Sequence, residues 1–84
     1  MYSFVIVGFI AGALTTASFI PQALKIWKEK SAKEVSFLMY VIISTGIFLW
    51  FIYGIEIYSI PIILANGISF IISITILVGK IKFK

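Results

Sequence analysis

The chain has 84 residues, 62% hydrophobic and 12% charged, with a mean hydropathy of +1.19 and a formal net charge of +4. A soluble domain this small exposes much surface relative to its core and needs roughly a quarter of its residues charged, so the composition is that of a membrane protein. Cysteine, histidine and aspartate are absent, which excludes disulfide frameworks, catalytic triads, Cys- or His-ligated metals and aspartyl dyads; no enzyme activity and no cofactor is implied.

The seven lysines and three glutamates divide the chain into charge-free runs at 1–24, 35–55 and 57–79, of 24, 21 and 23 residues. About 20 apolar residues at about 1.5 Å each cross a hydrocarbon layer of about 30 Å. The rich isoleucine content would favour strands in water. In lipid, three strands cannot close a barrel and an open sheet edge cannot be satisfied, so helices are expected. The fold predicted is an all-α integral membrane protein with a single three-helix domain over 1–84 and spans at about 3–26, 35–56 and 59–80.

Helix one carries Gly8, Gly12, Thr15, Thr16, Ser18 and the pair Pro21-Gln22. No basic residue precedes the apolar run, and the run exceeds the 7–15 residues of a signal-peptide core, so it is read as a retained span. Glycines four apart share one face and permit close approach of a neighbouring helix. Pro21 cannot donate to the Ala17 carbonyl and crowds that turn, so the helix should bend near its inner end. The helical pattern continues through Ala23, Leu24 and Ile26, which favours a bend whose inner turn moves over a simple helix end.

Lys25, Lys28, Lys30 and Lys33 follow helix one, and Lys80, Lys82 and Lys84 follow helix three. Three spans put both clusters on one side, with Glu56 and the N-terminus opposite. Basic residues near span ends stay cytoplasmic, so a multi-pass protein of the cell inner (plasma) membrane is expected, N-terminus outside and C-terminus cytoplasmic. The lysines add attraction to anionic membrane lipid. Without arginine and split between two short segments, they do not form a nucleic-acid surface.

Helix two presents Met39, Ile43, Gly46, Trp50 and Tyr53 at steps of four and three, one face through the whole membrane. Trp50 and Tyr53 fit an interfacial aromatic belt, yet Trp50 lies six residues, about 9 Å, inside Glu56. Helix three begins near Pro61, a tolerated first-turn proline, and carries Asn66, Ser69, Phe70 and Ser73 at helical spacing. An amide in hydrocarbon needs partners. Asn66 either bonds a neighbouring helix or, at the depth of Trp50, pairs with the indole to bind a neutral polyol: the aromatic face for C–H groups, the amide for hydroxyls.

Pro21-Gln22 near the inner end of helix one, Trp50-x-x-Tyr53-Gly54, and Pro61 followed five residues later by Asn66 resemble the bacterial SemiSWEET sugar transporters of the PQ-loop/MtN3 group over essentially the whole chain. The resemblance implies helices packed in the order 1-3-2 and a parallel homodimer of six helices with the sugar, such as glucose or sucrose, between protomers. By matching position it implies Trp50 and Asn66 as substrate-binding residues and Met39 as the inner gate. Pro21 and Gln22 would form the hinge, and Tyr53 the outer gate. Where relatives often carry an arginine and an aspartate after the tyrosine, this chain reads Ile55-Glu56-Ile57-Tyr58-Ser59, without a basic residue, which leaves Tyr53, Glu56 or Tyr58 to hydrogen-bond in place of a gate salt bridge. Three helices cannot enclose a sugar path, whereas two copies about an axis along the membrane normal give six. No acidic residue or histidine lies within the spans to carry protons, which points to uncoupled facilitative uniport by alternating access. The alternatives are a holin-like pore, a small accessory membrane protein, or a PQ-loop relative with a non-sugar substrate.

Overall fold

The computed structural model describes residues 2–84, with side chains from Phe4 onward. Three helices account for nearly all of it: α1 (Tyr2–Glu29), α2 (Phe37–Glu56) and α3 (Ile60–Phe83). All three are long and apolar enough to cross a membrane, and the molecule is 44 Å long, close to the about 40–45 Å of a bilayer with its headgroups.

Side-chain caps set the helix starts. The Ser36 hydroxyl accepts the Met39 N–H at 3.1 Å, so α2 begins at Phe37 rather than at 35. Ser59 accepts the Ile62 N–H at 3.4 Å, with Pro61 in the first turn of α3. The ends of α1 and α2 share one device. Tyr58 adopts a left-handed conformation (φ 56°), its N–H donates to Ile55 O at 3.2 Å, and the Ser59 N–H reaches back to Gly54 O at 2.9 Å. This is a Schellman stop, which satisfies carbonyls that the helix leaves bare. Lys30 (φ 54°) performs the same turn after α1, with the Ser31 N–H on Ile26 O at 3.3 Å. α1 thus runs three residues past 26 and continues through Pro21, which sits inside the helix.

α3 is the middle helix: α1 and α2 pack on it and not on each other's backbone, giving the order 1-3-2. The molecule is a slab of 44 × 20 × 14 Å, little thicker than one helix of about 10–12 Å. Lipid supplies no hydrophobic drive between helices, so small residues and hydroxyls must hold the seams. On the α1–α3 seam, a Cβ at Gly12 would stand 2.5 Å from the Ala65 Cβ, and Thr16 meets Ser69 Oγ at 2.8 Å and Ala65 O at 3.1 Å. On the α2–α3 seam, Gly54 lies against Ile62, and Ser44 Oγ donates to Ser73 Oγ at 3.0 Å.

The apolar core lies at the lysine-rich end, where Ile26, Ala32, Val35, Tyr40 and Ile76 are buried. Three further contacts tie that end together. Trp27 Nε1 donates to Thr75 O at 3.2 Å, Lys80 Nζ donates to Ala32 O at 2.9 Å, and the Trp27 and Phe83 rings meet edge to face at 5.1 Å.

Candidate functional site

The slab has two unlike broad sides. Leu64 and Ile68 line the grooves along both seams, with Phe9 and Ala13 of α1 on one and Phe48 and Phe51 of α2 on the other. They mark the middle of the first side, which is almost entirely apolar and suited to lipid. Two residues are about 200° of helix. Asn66, two residues from both Leu64 and Ile68, therefore belongs to the second side. The same step from Phe48 carries Gly46 and Trp50 to that side as well.

Along the second side, α3 presents Ile62, Asn66, Ser69, Ser73 and Ile76 at steps of four and three. Burial rises steadily down this row. Asn66 is half-buried, Ser69 is 3% exposed, and Ser73 and Ile76 are each 0% exposed. The cause is convergence of α1 and α2 toward the lysine-rich end. There the Tyr40 hydroxyl donates to Gln22 Oε1, and the Phe19 and Tyr40 rings meet edge to face at 6.2 Å. The result is a cleft over α3, sealed at the lysine-rich end and open toward Glu56.

Trp50 and Asn66 share the second side by helical phase, Trp50 on α2 and Asn66 on α3. Trp50 is six residues before the end of α2 and Asn66 six residues after the start of α3, so each is about 9 Å from the Glu56 end. Asn66 Nδ2 donates to Ile62 O at 3.0 Å within its own helix, which uses one amide proton and leaves the rest of the amide for a partner. Trp50 is 55% exposed, and its ring meets that of Tyr53 edge to face at 5.6 Å. With Gly46 and Leu49 the two rings line an open groove of about 380 Å³.

The other residues singled out from the sequence divide. Met39 lies on the same face of α2, half-exposed, toward the lysine-rich end. Tyr53 is 51% exposed at the opposite end. Gln22 is engaged by Tyr40, immediately after Pro21. Ser69 and Ser73, grouped with Asn66 on one stripe, serve the two seams instead: Ser69 bonds α1 and Ser73 bonds α2, because the middle helix has a neighbour on each flank. Tyr40 is the residue that sequence reading passes over. An aromatic inside an apolar run carries no mark of its hydroxyl's partner eighteen positions away.

Three apolar helices in a slab, each able to cross a membrane, define a small all-α multi-pass membrane protein. A family model for the PQ loop repeat matches residues 4–63. A Leptospira biflexa chain described as the sugar transporter SemiSWEET is 40% identical over 76 residues, 90% of this chain and 89% of its own length. A SemiSWEET of the same description from Bradyrhizobium diazoefficiens is 33% identical over 93% of this chain and 91% of its own. A crystal structure described as a bacterial homologue of SWEET transporters superposes with a TM-score of 0.90 at 51% identity, covering 95% of this chain and 96% of that one. The chain belongs to the PQ-loop repeat family, in its SemiSWEET group.

Proposed function

We propose that this chain is a uniporter of small neutral sugars that works by alternating access as a parallel homodimer in the plasma membrane, with its lysine-rich end cytoplasmic. One observation carries the reading. Trp50 and Asn66 each lie six residues inside the Glu56 end of their helices, and helical phase puts both on one side of a slab 14 Å thick. A second copy facing this side would supply a second Trp50 and a second Asn66 and convert the half-cleft into a chamber. Indole faces take the C–H side of a sugar ring and amides take its hydroxyls. The relatives described as sugar transporters support the substrate class.

In this reading the cleft, sealed by Tyr40 and Gln22 and open past Tyr53, is the outward-facing state. Bending at Pro21 would part Gln22 from Tyr40 and open the cytoplasmic end past Met39, while closure at Tyr53 shuts the other. Glu29 and Glu56 stand at the ends of their spans and no carboxylate or histidine lies deeper, so in this reading the cycle is not coupled to protons and sugar runs down its gradient. Counterflow in proteoliposomes with glucose, galactose, sucrose and maltose tests this. Saturable exchange of at least one sugar, without leakage of a larger polar dye, is expected. Dye leakage at the rate of sugar would instead identify a pore.

A further inference from the structure

Four of the six glycines, Gly12, Gly54, Gly67 and Gly79, have an evident packing reason, and a fifth, Gly8, faces a neighbour at ordinary contact distance. A Cβ at Gly12, Gly54 or Gly79 would lie 2.5–2.7 Å from a side chain of a neighbouring helix. At Gly67 it would lie 3.2 Å from the Phe51 ring, and at Gly8 3.4 Å from Pro61. Gly46 has no such reason: a Cβ there meets no atom within 4 Å. Glycine weakens a helix interior relative to alanine, so its presence at an uncrowded position asks for a cause outside the protomer.

Two causes fit an empty space on this side of α2: the backbone of another helix, or a ligand. Close helix approach needs small residues one turn away on the same face. Here the neighbours at three and four residues are Ile42, Ile43, Leu49 and Trp50, all of which hold a second helix off. Gly46 instead lies in the groove lined by Trp50 and Tyr53, one turn, about 6 Å, from Trp50 toward the sealed end. One groove of about 380 Å³ is near the lower bound of the about 300–1,000 Å³ typical of small-molecule sites, and two facing grooves would move well into that range.

We propose that Gly46 is the size filter of the pathway: the missing side chain, repeated in both protomers, leaves room for a second sugar ring, so that disaccharides pass as well as monosaccharides. This rests on the transport reading above. Any side chain introduced at 46 enters the chamber twice, so a small substitution has a doubled steric effect.

Sucrose and glucose uptake by proteoliposomes of the wild type, Gly46→Ala and Gly46→Val tests the filter. The sucrose-to-glucose ratio of initial rates should fall at least about tenfold in Gly46→Val, the discrimination that methyl-sized changes give in a binding pocket, with Gly46→Ala between it and the wild type. The chain has no cysteine, so Gly46→Cys gives a clean second readout: a water-soluble thiol reagent should label it, and sucrose should protect it. A ratio unmoved by either substitution overturns the filter, as does a wild type that carries glucose but not sucrose. Equal loss of both sugars together with loss of dimer cross-linking overturns it in favour of a helix contact, and failure of Gly46→Cys to label overturns the pocket placement. A wild type that carries neither sugar overturns the transport reading itself and the filter with it.

Discussion

The Tyr40 hydroxyl of α2 donates to Gln22 Oε1 of α1, one residue past Pro21. It closes the cleft beside the proline that leaves Ala17 O without its helical donor. Tyr40→Phe keeps the ring against Phe19 and deletes the bond. Such bonds between membrane helices contribute about 0.6 kcal/mol on average, which shifts a two-state equilibrium about threefold. Labelling of Met39→Cys by a thiol reagent added on the lysine-rich side should rise by about that factor in the Tyr40→Phe background. Unchanged labelling would show that the bond does not hold this end shut.

Gly12 and Ala65 leave no room for another carbon: a Cβ on Gly12 would stand 2.5 Å from that of Ala65. Gly12→Ala should destabilise the bundle by about 1–3 kcal/mol, the usual effect of overpacking. The pair Gly12→Ala with Ala65→Gly should recover most of it, since the methyl merely changes sides. Thermal unfolding in detergent reads both, and a single variant as stable as the wild type would contradict the packing described.

Ser73 has no exposed surface; it donates to Phe70 O at 2.9 Å and accepts from Ser44 at 3.0 Å. A double-mutant cycle with Ser44→Ala and Ser73→Ala should give a coupling of about 0.6 kcal/mol and no more than about 1.7. Ser73→Leu should prevent α2 from docking on α3 altogether, seen as loss of the monodisperse folded species. Zero coupling in the cycle would mean that the two hydroxyls are neighbours without being partners.

The three helices were legible because charge marks where lipid stops, and Glu56 alone divides the second run from the third. Gly8 and Gly12 announced a close approach, which α3 supplies through Pro61 and Ala65. Less legible was how a polar stripe divides between neighbours. Ser69 and Ser73 differ by four residues and look alike in sequence, yet α3 lies between two helices and each flank takes one hydroxyl. The lysines of the basic end signal topology and lipid attraction in sequence, whereas in the structure Trp27 ties the end of α1 to α3 and Lys80 ties the α1–α2 connection to it. Such contacts join residues 48 positions apart, and no local periodicity encodes them.

Trp50 and Asn66 carry the proposed function; the Trp50 ring meets Tyr53 of its own helix, and the Asn66 amide donates within α3. Their removal should therefore separate transport from folding. The decisive measurement is initial-rate sugar uptake by proteoliposomes of wild type, Trp50→Ala and Asn66→Ala, with helix content and dimer cross-linking checked on the same preparations. Both variants should lose at least about tenfold in uptake, the consequence of about 1.4 kcal/mol of lost binding, while remaining folded dimers. Wild-type uptake in both variants would contradict the account.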